Sequence, residues 1–175
     1  MGFQIVLVVE ANEKAQTDYI YIKSILNHVY NIRLRNDIKI SPVFMGGKGN
    51  YEKVSNKINK LVKAYNYIGE SCVIYCFDTD KYDSDTGDEK ALHDEMQYCA
   101  DNGYEFVWFC HDIEEVFLGK SVSNSEKTEK AKSYSARHGV ENLNLKAFEA
   151  KVMGKKKSNL LLILKKYFED KDVKE

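Results

Sequence analysis

Proline is almost missing from this sequence: Pro42 is the single one among 175 residues. Polyproline segments and proline-rich linkers are therefore excluded. Also missing is any apolar run long enough to cross a bilayer, so no membrane span and no membrane partner are expected. The first apolar stretch, residues 3–9, has no basic region before it and reads as a strand rather than a signal peptide. Nothing points to export, and a cytoplasmic location is expected. Neither charge sign is in excess. A formal net charge of −1 removes any global electrostatic case for nucleic-acid binding and leaves only local patches. The four cysteines, Cys72, Cys76, Cys99 and Cys110, lack the C-x-x-C pairing of a structural zinc site. They read as buried, reduced thiols.

What is present is a chain that can fill a core. Hydrophobic residues make up 43% and charged residues 30%, as expected for one globular α/β unit of this length. Strands and helices alternate through the first two thirds. Residues 3–9 form a β-branched run. A helix then runs to about Tyr30, capped by Asn12 or Thr17, with Tyr19, Ile22, Ile25, Leu26 and Val29 inward. Residues 38–44 read as a second strand. Pro42 cannot donate to a ladder, so that strand belongs at an edge or carries a bulge. A helix over 51–67, a strand over 72–77, a helix over 89–101 closed at Asn102-Gly103, and a strand over 104–110 follow. This alternation predicts a four-stranded parallel sheet covered on both faces. Residues 121–135 are polar and read as a mobile insertion or a loose helix. Residues 143–168 read as two helices split at Gly154 by Lys155, Lys156 and Lys157.

Two apolar runs end in acid. The first stops at Glu10, and the third strand stops at Asp78-Thr79-Asp80. Buried parallel strands deliver such residues to the C-terminal edge of the sheet, where ligand sites of open α/β folds lie. Three carboxylates converging there repel one another unless a hard cation sits between them, which suits Mg²⁺ or Mn²⁺. For Glu10 and Asp78 to share an ion the first and third strands must be neighbours, giving the order 2-1-3-4. The plain alternative is a solvated strand end at Glu10 and a helix cap at Asp78.

Other motifs are weaker. The loop Gly46-Gly47-Lys48-Gly49 could cradle a phosphate but lacks Walker spacing, leaving Lys48 as a substrate contact. Counted from Asp83, Asp88 and Asp94 stand where an EF-hand needs glycine and glutamate, so a calcium loop is excluded. His111 and Asp112 leave the fourth strand, where His111 is either a proton shuttle or a satisfied surface side chain. The lysines at 155–157 are a solvated face unless they fold onto the same side as the acids.

Several of these segments carry a resemblance. Val9-Glu10-Ala11-Asn12-Glu13-Lys14, followed by Tyr19 and Ile20, resembles the opening motif of Toprim-type domains in RloB-like and related abortive-infection proteins. Phe77-Asp78-Thr79-Asp80 is similar to the Toprim Asp-x-Asp motif. Residues 112–118 are similar to that family's later acidic-hydrophobic segment. Ala11 stands where the family has glycine. The resemblance covers about the first two thirds and implies a Toprim-like core over 1–119; the composition of 120–175 adds a mobile polar segment and C-terminal helices packed on that core. It further implies Mg²⁺-dependent phosphodiester chemistry, with Glu10, Asp78 and Asp80 catalytic and metal-ligating. Glu114 or Glu115 would complete a second metal position. The candidate substrate contacts come from the residues themselves: Lys48 of the glycine-rich loop, and Lys155, Lys156 and Lys157 if they fold onto the same side as the acids. The expected function is a nuclease or nuclease-like effector acting on nucleic acid, DNA or RNA, in defence against phage or mobile elements. The alternative is an inactive module of the same fold working through a protein partner, and an oligomer is compatible with either. A receiver-like signalling domain fits less well, since it would place its acid pair after the first strand.

Overall fold

The computed structural model describes residues 2–168. Strands β1 (Gly2–Val9), β2 (Ile38–Phe44), β3 (Gly69–Asp78), β4 (Glu105–Cys110) and β5 (Lys157–Ser158) form one sheet in the order β2-β1-β3-β4-β5. The first four are parallel and β5 runs antiparallel to β4. The sheet therefore has five strands rather than the four expected. Two residues with an exposed lysine give no alternation to read, so β5 is invisible in the sequence. The order of the other four follows from chemistry. Pro42 sits opposite Leu7 on edge strand β2, where its missing N–H leaves the inner ladder intact. Ile5 to Val9 are all fully buried, as a central strand covered on both faces requires.

Helices α1 (Thr17–Tyr30), α4 (Ile113–Leu118), α5 (Lys127–Ala136) and α6 (Leu160–Leu164) cover one face, around Ile5, Leu7, Val9, Ile74 and Phe109. Helices α2 (Ser55–Tyr65) and α3 (Thr86–Asn102) cover the other, against Val6, Val8, Val73, Tyr75 and Phe77. Asn12 does not cap α1. Its carboxamide accepts from the N–H groups of Lys14 and Ala15 and closes the turn before the helix. Asp85 starts α3 by accepting from the N–H groups of Gly87 and Asp88, which begins that helix earlier than its apolar pattern shows. Gly103 ends it at φ +67°, as expected of the Asn-Gly pair. Among the described residues no helix is long and apolar enough to cross a membrane.

The later third differs from its expected layout. The polar segment, read as a mobile insertion or a loose helix, holds helix α5, which packs along α1 because Ala131 and Tyr134 enter the core. The Tyr134 ring lies 5.2 Å from that of Tyr21 and 5.8 Å from that of Phe117. Two anchors in a polar run are too sparse to register as periodicity. Instead of two helices split at Gly154, residues 143–168 hold a 3₁₀ turn (Leu145–Phe148), β5 and α6. Phe148, Leu160, Leu161, Leu164 and Phe168 join the core beside α1.

One polar side chain crosses the sheet. Gln4 on β1 is fully buried, donates to Ser41 on β2 at 2.8 Å and accepts from Ser71 on β3 at 2.8 Å. Gln4→Leu deprives both hydroxyls of their partner. It should lower stability by about 1–3 kcal/mol, read as a reduced urea midpoint with unchanged slope.

Candidate functional site

Parallel pairing of β1 with β3 sets Val9 opposite Cys76 and brings Glu10 and Asp78 to one edge. Glu10 follows β1 directly and Asp78 is the last residue of β3. Oε1 of Glu10 accepts from the Asp78 N–H at 2.8 Å, and Oδ1 of Asp78 accepts from the Ile113 N–H at 2.9 Å where α4 begins. Each carboxylate thus spends one oxygen on backbone, which fixes its position. Asp18, in the first turn of α1, joins them by accepting from the Ala11 N–H at 2.9 Å.

Burial of these groups works against their charge. It pushes Glu10 up to about 8, with the charges of Asp18 and Asp80 adding to the rise. Asp78 is raised well above the ordinary range by burial first and by Glu10, Asp18 and Glu114 next. Asp18 is raised by burial as well. The fully buried Glu114 is raised for the same reason; its Oε2 lies 3.0 Å from Lys127 Nζ, whereas its buried Oε1 has no hydrogen-bond partner.

Two lysines offset this charge. Lys48 Nζ donates to the Asp78 carbonyl at 2.8 Å and to Asp80 Oδ2 at 3.1 Å, and lies 3.8 Å from the buried Glu95. Burial opposes its charge, yet Glu95, Asp80 and Glu10 outweigh it and raise its pKa. Lys127, the first residue of α5, pairs with Glu114 at 3.0 Å, and its pKa is likewise raised.

The expected residues therefore separate. Glu10 and Asp78 come together, with Glu114 in electrostatic reach of Asp78. Asp80 does not join them as a third ligand: at φ 49° it turns its carboxylate to Lys48. Lys48 points inward to acids rather than outward to substrate. Glu115 faces away from Glu114's partners, taking the His111 N–H at 3.1 Å and lying 3.3 Å from His111 Nδ1. Asp83 lies 3.1 Å from His111 Nε2, so His111 is held between two carboxylates and its pKa is raised, by Asp83 foremost. Lys155, Lys156 and Lys157 are exposed where Lys157 pairs with Cys110, at the same edge of the sheet as the acids. Lys155 is close enough to help lower the pKa of Glu115.

Asp18, Glu95 and Lys127 were not anticipated. Glu95 left a readable signal, since with Leu92 and Cys99 it occupies the inner face of α3. Asp18 is indistinguishable from a first-turn acid complementing the helix dipole. Lys127 is one lysine in a charged run.

Beside the cluster lies an open cleft of ≈ 820 Å³ walled by Asp80, Asp83, Asp85, His111, Asp112 and Glu115. Glu10 and Asp78 do not line it. Such a wall repels phosphate unless cations intervene. Among the described residues no group of three or more His, Cys, Asp or Glu side chains is arranged to hold a metal ion. The donor chemistry still suits a hard cation: Glu10 and Asp78 each keep one oxygen not committed to a backbone N–H. Magnesium is commonly held by one or two carboxylates and completed by water and substrate phosphate. Comparison of the chain with protein-family models, curated proteins and solved structures gives no match.

The raised carboxyls make stability depend on pH. The folded state keeps protons on Glu10 and Glu95, both at about 8, that the unfolded chain releases near 4.5. Stability from these groups should fall as pH rises through that window and level off above it. His111, raised from 6.5, acts in the same direction. In EDTA, Glu95→Gln should flatten the decline in urea stability between pH 5 and 8 and raise stability at pH 8. An unchanged slope would show that Glu95 stays ionised in the fold.

Proposed function

We propose that Glu10 and Asp78 hold a Mg²⁺ or Mn²⁺ ion and that the chain is a Toprim-type nuclease or nuclease-like effector acting on nucleic-acid phosphodiesters. The observation that carries this reading is the convergence of Glu10 and Asp78, linked at 2.8 Å and both raised in pKa by burial. A fold optimised for stability alone would not gather acids there, because replacing them with apolar groups relieves both desolvation and repulsion. The ion would supply Lewis acidity toward the phosphate.

The chain's own residues do the rest. With a pKa of about 8, Glu10 can take or give a proton near neutral pH. Lys48 and Lys127 balance charge behind the acids, and Glu114 is a candidate for a second position through Oε1, the oxygen that Lys127 does not engage. Lys155, Lys156 and Lys157 offer phosphate contacts at the same sheet edge. A cytoplasmic role in defence against phage or mobile elements rests on the sequence resemblance.

A second reading has its own observation. Asp80 is engaged by Lys48 and Glu115 by His111, so two expected ligands are committed to internal pairs. That favours a Toprim-like module without catalysis, acting through a protein partner.

Metal and cleavage separate the two readings. Calorimetry should show Mg²⁺ or Mn²⁺ binding by wild type and its loss in Asp78→Asn, with metal-free stability level or higher. Labelled single- and double-stranded DNA and RNA should be cut by wild type with Mg²⁺ or Mn²⁺, and not by Glu10→Gln, which keeps substrate binding. That binding should weaken as salt rises and when Lys155, Lys156 and Lys157 are replaced by alanine. Metal affinity unchanged in Asp78→Asn would rule out this ion site. Salt-sensitive binding without cleavage by wild type would favour the module.

A further inference from the structure

Away from the strand ends, α1 and α5 enclose a second bowl, with a volume of ≈ 360 Å³. This lies within the roughly 300–1,000 Å³ range of small-molecule sites. Lys23 and His28 of α1, Arg33 of the following 3₁₀ turn and His138 after α5 line it. None of these four has a carboxylate partner among the described residues, although Glu141 borders the bowl. Lys23 instead lies over the Tyr19 ring at 5.6 Å.

The wall also contains donors without acceptors. Nδ2 of Asn27 is buried and has no hydrogen-bond partner. Tyr134, 8% exposed, lines the same bowl, and its buried hydroxyl has no partner either. Buried donors left unmade are costly and uncommon, so a ligand acceptor would relieve them. An apolar hollow of ≈ 150 Å³ adjoins the bowl and shares Lys23, Asn27 and Arg33 with it. Tyr19, Leu26, Ile32 and Ile40 form its sides.

We propose that this bowl and hollow bind a nucleoside monophosphate, with its phosphate among Lys23, Arg33 and the imidazoles and its base in the apolar hollow. Arg33 presents the planar fork that matches phosphate oxygens, and Lys23 adds a point charge. The amide of Asn27 stands where polar bowl and apolar hollow meet, suited to a ribose or phosphate oxygen. The site is distinct from the strand-end cluster. Asp18 and Lys127 lie at the starts of α1 and α5, whereas the bowl is built from later residues of both. Binding here requires no divalent ion and is independent of the proposed catalysis.

The test is calorimetry with EDTA at low salt, using AMP, inorganic phosphate and adenosine as probes. AMP should bind at one site, more tightly than phosphate and far more tightly than adenosine. Lys23→Ala and Arg33→Ala, both at exposed positions, should each weaken AMP about tenfold, the loss of one charge-assisted contact. Asn27→Asp should remove binding by placing an anion at the junction, and Glu10→Gln should leave it unchanged. Absence of AMP binding at millimolar concentration overturns the proposal. So does affinity that survives the Lys23→Ala, Arg33→Ala double variant, inorganic phosphate binding as tightly as AMP, or loss of binding in Glu10→Gln.

Discussion

Like charges held close at low dielectric repel, and the arrangement at the C-terminal edge of the sheet is organised around that repulsion. Adjacent parallel strands cannot avoid bringing Glu10 and Asp78 together, because register fixes where each strand stops. The fold answers in two ways. Backbone N–H groups of Asp78, Ile113 and Ala11 each face one acid, stabilising its charged form where it lies. Lys48 and Lys127 then bring positive charge from opposite faces of the sheet. Desolvation still exceeds these compensations for Glu10 and Asp78, whose pKa values stay raised.

That residual imbalance connects stability to chemistry. A carboxyl that titrates near neutral pH is unfavourable when ionised in the fold, and is for the same reason useful in proton transfer or cation binding. The acidic cleft beside the cluster extends the point, since phosphate approaches such a wall only in company with cations. Lys155, Lys156 and Lys157 stand at the edge of that field, placed there by the short pairing of β5 with β4.

The helices of one face do more than cover it. α5 delivers Lys127 to the acids at its start and Tyr134 to the core farther along. α1 likewise begins at Asp18 and continues past Asn27, so one packed helix pair borders both the acid cluster and the basic bowl. Removing the later third of the chain would therefore expose apolar surface on α1 and leave Glu114 without its lysine.

The strand–helix alternation, the edge position of the strand bearing Pro42 and the delivery of Glu10 and Asp78 to one sheet edge were all legible in the sequence. Each depends on local rules: side-chain period, a missing N–H, or the point at which a buried run meets charge. Tertiary structure alone decided which acids meet. It turned Asp80 to Lys48, split Glu114 from Glu115, drew Asp18 and Lys127 into the cluster and added β5 to the sheet. Adjacent acids carry the same local signal, whereas the direction each side chain takes depends on a counter-charge supplied by a segment distant in the chain. No periodicity encodes that pairing, because it exists only once the helices have packed.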